Sequence, residues 1–354
     1  MKSIVTTCLS LLIVLGAQAQ TVIITYAGGY RGNLIDTRQI EAGRLTHVLY
    51  AFATLESNRA VLKYPKTDAL NLQRLAALKQ LNPRIKLLLS VGGLGWSRNF
   101  SDMALTENGR QAFAQSCLKL VKQFRLDGID IDWEFPGYPG GGGNIYRPED
   151  KRNYTLLFKT LRQALPNYQL TTAVDGWATH FLPHSEMDQV AQYVDYVCLM
   201  TYNFNSGGMA GGHFLYSPPN WDPAGSVVGA VKAFLAAGVP KEKLVIGVGF
   251  FPAALRMRSN DPGDRHYLAK LPFRGGLTKV YRLAAQKSYG RYWDTVGQAP
   301  YLFNPQTRVR IAYEDIASVK AKFRYIQQQH LAGLMYWDYF SDPGQRLLKA
   351  ITDP

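Results

Sequence analysis

Eight short apolar runs recur along this 354-residue chain, and helix-period segments lie between several of them. The runs are Val22–Tyr26, Thr46–Phe52, Ile85–Val91, Gly128–Trp133, Gln169–Val174, Tyr193–Thr201, Leu244–Phe250 and Gly333–Trp337. Each is nearly continuous in β-branched and other apolar residues, as strands covered on both faces are. Phe113, Cys117, Val121 and Phe124 share one helix face before the fourth run, and Ile316, Val319, Phe323 and Ile326 share one before the eighth. Eight strands alternating with helices predict an α/β protein of the (β/α)8 (TIM) barrel type. The alternative, an open doubly wound sheet, finds no early Gly-x-Gly-x-x-Gly turn to support it.

One spacing is irregular. About sixty residues separate Phe251 from a helix expected to start near Glu314, and they hold Tyr267, Tyr281, Tyr292, Trp293 and Tyr301. A structureless loop of that length is rare inside a compact domain. Residues 253–312 are therefore expected to form a small inserted α+β subdomain between strands seven and eight, placed to wall a cleft.

Residues 1–19 have the pattern of a secretory signal peptide. Lys2 is a short basic start, Ile4 to Leu15 is mostly apolar, and Ala17-Gln18-Ala19 forms a small-x-small cleavage site. The apolar run is shorter than the roughly 20 residues a membrane span needs, and no later segment is apolar enough to span. The expected mature chain is an exported domain over 20–354, periplasmic or secreted, with no membrane span; its oligomeric state is open and a monomer is the expectation. Cys8 leaves with the leader, while Cys117 and Cys198 fall on apolar faces of different elements, as core thiols do.

The formal net charge is +14, or +13 without Lys2, and the basic residues are scattered with no long Lys/Arg run. That pattern suits a solubilising surface with some affinity for anionic polymers, and it argues against nucleic-acid binding. His47, His180, His184, His213, His266 and His330 form no metal-ligand spacing. Gly140–Gly143 lacks the Lys-Ser/Thr of a phosphate loop, and Ser90 and Ser206 sit in no nucleophile elbow.

The chemistry concentrates in Asp127-Gly-Ile-Asp130-Ile-Asp132-Trp-Glu134. On a strand Asp130, Asp132 and Glu134 point one way, and Ile129, Ile131 and Trp133 the other. Like charges at this spacing raise one another's pKa values, an arrangement suited to acid catalysis. The segment runs into Phe135-Pro136-Gly137-Tyr138-Pro139-Gly140, a loop that stops pairing at once. Carboxylates at the C-terminal end of a strand are where a parallel α/β protein places its chemistry. Asp127, three residues before Asp130, falls off that face and is read as structural, capping a turn.

This segment resembles the D-x-x-D-x-D-x-E signature of glycoside hydrolase family 18, the chitinases and their relatives. Ser90-Val91-Gly92-Gly93 resembles the family's S-x-G-G, Tyr50-Ala51-Phe52-Ala53 its second strand end, Met200-Thr201-Tyr202-Asn203 its M-x-Y-D, and Trp337 its floor tryptophan. The insertion resembles that of one chitinase subgroup with deep clefts. The resemblance implies a cofactor-free, retaining hydrolase of β-1,4-linked N-acetylglucosamine polymers or oligomers, with chitin as the partner molecule. Glu134 would be the general acid and base, and Asp132 would orient the substrate acetamido group. Asp130 would share a proton with Asp132, and Tyr202 would hold the acetamido carbonyl. Trp337, Phe52, Met200, Asn203, Trp96 and Trp177 would contact sugar, while Ser90, Gly92 and Gly93 would support the acids. Asn203 departs from the family's aspartate, and Gly249-Phe250-Phe251-Pro252 departs from a common Tyr-Gly-Arg. The alternatives are an endo-β-N-acetylglucosaminidase acting on N-glycan chitobiose cores and a chitin-binding lectin without activity; the intact acids speak against the lectin.

Overall fold

In a computed structural model, which describes residues 21–30, 32–206, 209–219 and 221–353, eight parallel strands close into a barrel. They are β1 (Val22–Gly28), β2 (His47–Glu56), β3 (Lys86–Gly92), β4 (Gly128–Asp132), β5 (Gln169–Asp175), β6 (Tyr196–Met200), β7 (Leu244–Gly249) and β8 (Gly333–Trp337). Each pairs with its sequence neighbours, and β1 closes the ring by pairing with both β2 and β8. The leader expected at residues 1–19 lies outside the described residues. Among the described residues no helix is long and apolar enough to cross a membrane.

Outward-facing strand residues pack under the helices. The helix Glu107–Phe124 starts on Thr106, whose hydroxyl accepts from Gly109 N, and ends at Arg125 in the left-handed conformation. It buries Phe113, Cys117, Val121 and Phe124 in the same core as Ile129, Ile131 and Trp133 of the acidic segment. Trp133 stacks on Phe100 at 5.3 Å. The inner faces of the strands form a second cluster with Ile24, Tyr26, Leu49, Leu88, Cys198 and Met335. Cys117 and Cys198 are free and buried, on different layers.

Asp127 sits at the opposite end of β4 from Glu134. Its carboxylate accepts from Leu87 N at 2.8 Å and pairs with Lys79 Nζ at 2.7 Å, so it ties the start of β4 to β3 and the preceding helix.

Strand limits differ from the apolar runs where turn geometry decides. β2 continues past Phe52 to Glu56 and folds back on Arg59–Leu62 as a hairpin. Ser57 and Asn58 both have positive φ, as a two-residue hairpin turn requires. Tyr193 belongs to the helix Met187–Tyr193, not to β6. Glu134 lies two residues beyond the end of β4.

Residues 253–312 hold a five-stranded antiparallel sheet, in the spatial order Tyr267–Leu271, Ala253–Met257, Val309–Ala312, Ala299–Asn304 and Gly290–Asp294, with a helix at Gly276–Ala284. The helix after it, Ile316–Gln329, opens on a reciprocal cap between Asp315 and Ser318. Beneath this helix Lys322 and Glu314 form a fully buried ion pair at 2.7 Å.

Candidate active site

The C-terminal ends of the strands surround a cleft of about 570 Å³, with Asp132 and Glu134 in its wall. Every residue expected to meet sugar lines it: Trp337, Phe52, Met200, Asn203, Trp96 and Trp177, together with Tyr202. Asp130 lies one strand step below Asp132, fully buried. Three hydroxyls hold it: Tyr26 Oη donates to Oδ2 at 3.0 Å, Ser90 Oγ to Oδ2 at 2.7 Å and Thr171 Oγ1 to Oδ1 at 2.6 Å. They come from β1, β3 and β5, so the carboxylate spans the barrel lumen.

The two glycines answer to steric demands. A Cβ on Gly92 would fall 2.2 Å from Asp132 O, and one on Gly93 would fall 2.6 Å from the Phe52 ring; both residues have positive φ. The loop after β3 also supplies Ser97. Its hydroxyl donates to Asp132 O at 2.9 Å and accepts from Glu134 N at 3.0 Å, fixing the backbone on both sides of Trp133.

Burial raises the pKa of all three acids. Asp130 is raised by desolvation, which its hydroxyl donors oppose. Asp132 is raised well above the carboxylate range by burial, then by the charges of Glu134 and Asp130. Glu134 is pushed up to about 7 by burial and by Asp175, while the Leu94 backbone N–H pulls the other way. A carboxyl group poised there holds a proton to give near neutral pH. Asp132 Oδ1 is buried without a hydrogen-bond partner. Burial and the charges of Asp132 and Glu134 raise the Tyr202 phenol, which stays a neutral donor. Its ring meets Phe251 edge-on at 5.4 Å.

Phe52 sits where the β2–β3 register slips between Ala51 and Ala53, a bulge that re-aims the side chain. Cis peptide bonds lie at Ala51–Phe52, Glu134–Phe135 and Trp337–Asp338. Asn203, with φ of 58°, accepts from Asn205 Nδ2 at 2.7 Å.

The residue pattern and the site coincide with one family. Glycosyl hydrolases family 18 matches residues 22–342. The chain belongs to glycosyl hydrolase family 18. Chitinase A1 of Niallia circulans is 35% identical over 307 residues, 78% of this chain; the chain spans 43% of that relative's length. A family 18 N-acetylglucosaminidase from Paenibacillus barengoltzii superposes with a TM-score of 0.79 at 34% identity, covering 94% of this chain and 99% of that one. The Group IV chitinase of Ostrinia furnacalis, solved with allosamidin, gives a TM-score of 0.84 at 26% identity, with 94% and 98% covered.

The family 18 cleft also contains residues to which the sequence assigned no sugar contact: Tyr30, Leu94, Phe135, Asp175 and Phe251. Asp175 ends β5, and Phe251 follows β7. No residue of 253–312 is among those lining this cavity. Within the insertion Tyr292 stacks on Tyr301 at 5.3 Å and Arg310 lies over the Tyr301 ring, while Arg346 from outside it lies over the Tyr281 ring. The insertion packs against the loop after β6, where Ala210 N donates to Arg265 O and Leu215 N to Gly297 O. Among the described residues no cluster of three or more His, Cys, Asp or Glu could hold a metal ion.

Proposed function

We propose that this family 18 hydrolase cleaves β-1,4 bonds in chitin or N-acetylglucosamine oligomers with retention, and that residues 1–19 export it. The observation that carries the reading is the buried, unpartnered Asp132 Oδ1, which lines the same cleft as Glu134. A buried acceptor of this kind calls for a donor from the ligand, and an acetamido N–H supplies one.

Glu134 protonates the glycosidic oxygen. The substrate's own acetamido oxygen attacks carbon one and forms an oxazolinium ion, and no second enzyme carboxylate bonds to the sugar. Asp132 accepts the acetamido N–H and faces the developing positive charge. Tyr202 donates to the acetamido carbonyl and holds it near carbon one. Glu134, now a carboxylate, takes a proton from the incoming water, which opens the ring from the other side. Every group used is a side chain or a substrate atom.

The 34% identity to an N-acetylglucosaminidase over 94% of this chain favours a second reading of the same chemistry, release of single sugars from chain ends. Product analysis on oligomers of four to six sugars, with Glu134→Gln alongside, tests both. Early β-anomeric products and loss in the variant support retention by Glu134; product lengths separate internal from terminal cleavage. Binding without cleavage by the wild type would instead mean a lectin. No action on chitin oligomers would direct the test to N-glycan cores.

A further inference from the structure

Asp175 is a cleft carboxylate to which the acid–base scheme above gives no part. β4 and β5 pair Ile131 with Thr172; three residues further along each chain stand Glu134 and Asp175. On its other side Asp175 pairs with Met200 of β6, next to Tyr202 and Asn203. Both Glu134 and Asp175 line the cavity.

Its geometry is fixed by the walls on either side. Trp177 N donates to Oδ1 at 2.9 Å and Tyr138 Oη to Oδ2 at 2.9 Å. Tyr138 belongs to the loop that leaves Glu134 and stacks on Phe135 at 5.0 Å. His180, stacked on Trp177, lies 3.9 Å from Asp175 Oδ2. The ionisable groups around the pair are Asp132 on β4, Tyr138 in the following loop, Tyr202 after β6 and His180 after β5. Asn203, the side chain after Tyr202, carries no charge.

We propose that Asp175 is a positioning residue for the reaction: a carboxylate, held by donors from both walls, whose charge keeps the proton on Glu134 until the glycosidic oxygen arrives. It rests on the reading of Glu134 as general acid. Asp175 touches no reacting atom and acts through Glu134. A like charge in a partly dry cleft disfavours the ionised form of its neighbour, and after burial Asp175 is the charge that raises Glu134. Burial raises Asp175 too, and the Trp177 N–H, the Tyr138 hydroxyl and His180 oppose that by favouring its ionised form. The same carboxylate orients Trp177 through its backbone N–H, so one side chain couples proton retention to the position of a sugar platform.

The test is the pH dependence of kcat/KM on a soluble N-acetylglucosamine oligomer for wild type, Asp175→Asn, Asp175→Ser, Asp175→Glu and Glu134→Gln. Asn and Ser both remove the charge, and Ser serves if Asn does not fold. In the neutral variants the alkaline limb should move down by about one pH unit, while Asp175→Glu restores it. A merely structural role would lower the rate at every pH and leave the limb in place. An unmoved or upward-moving limb, with Glu134→Gln inactive, overturns the role of Asp175 alone. An active Glu134→Gln overturns the general-acid reading, and this inference with it.

Discussion

Phe52 and Trp337 stack nearly parallel, with ring centroids 5.5 Å apart and planes 14° apart. Tyr30 covers Trp337 as well, at 5.6 Å. The neighbouring rings thus fix the indole, and under the proposed function it is a platform for the apolar C–H face of a sugar ring. Trp337→Ala should raise KM on oligomers about tenfold, equivalent to about 1.4 kcal/mol, with a smaller effect on kcat. Initial-rate kinetics on a chitotetraose-type substrate check this; an unchanged KM would remove Trp337 from the sugar site.

Ser90→Ala deletes a buried donor to Asp130, and the carboxylate keeps Tyr26 and Thr171. Losing a hydrogen bond to a charged group costs about 1.5–3 kcal/mol. Urea denaturation should register that loss, with kcat falling while KM holds.

Glu134→Gln should be inactive and more stable. The acid's pKa is about 7 in the folded protein against an ordinary 4.5. Below pH 4.5 both states keep the proton, and the variant gains nothing. As pH rises from 4.5 to 7 the unfolded chain releases its proton while the folded site retains it, so wild-type stability falls. The variant avoids that fall, and its advantage grows across this window to at most about 3 kcal/mol. Thermal melts at pH 4.5 and 7.5 give the comparison; an equal difference at both values contradicts it.

The Glu314–Lys322 pair lies at zero exposure on both sides. Lys322→Met leaves an unpaired buried carboxylate and should cost about 3–5 kcal/mol, whereas Glu314→Leu with Lys322→Met should cost far less. Denaturant midpoints for the single and double variants measure the difference.

Asn203→Asp adds a charge at the cleft and keeps the acceptor oxygen that Asn205 meets. Glu134 should then hold its proton more tightly, and the alkaline limb of the pH–rate curve should move up. Superimposable curves would mean that position 203 lies outside the electrostatic reach of Glu134.

The barrel was legible because each strand is covered on both faces, so its residues are apolar almost without interruption. The acids were legible for the opposite reason: Asp130 and Asp132 interrupt such a strand and Glu134 follows its end, where nothing structural calls for them. Asp175 was not legible. Followed by Gly176, it has the form of an ordinary strand-ending turn residue. Phe251 and Leu94 look like core residues in the sequence, and only the closed ring turns them toward the cavity. The insertion was legible as a subdomain from its length, but not how its tyrosines pack: Tyr292 and Tyr301 stack on each other, and Tyr281 and Tyr301 meet arginines.

Asp130 draws its donors from the first, third and fifth strands, so its environment exists only when widely separated parts of the chain have met. A partly assembled ring has the acidic segment but not the hydroxyls that fix it. Turnover therefore reports ring completion itself, and activity regained during refolding counts finished barrels rather than compact ones.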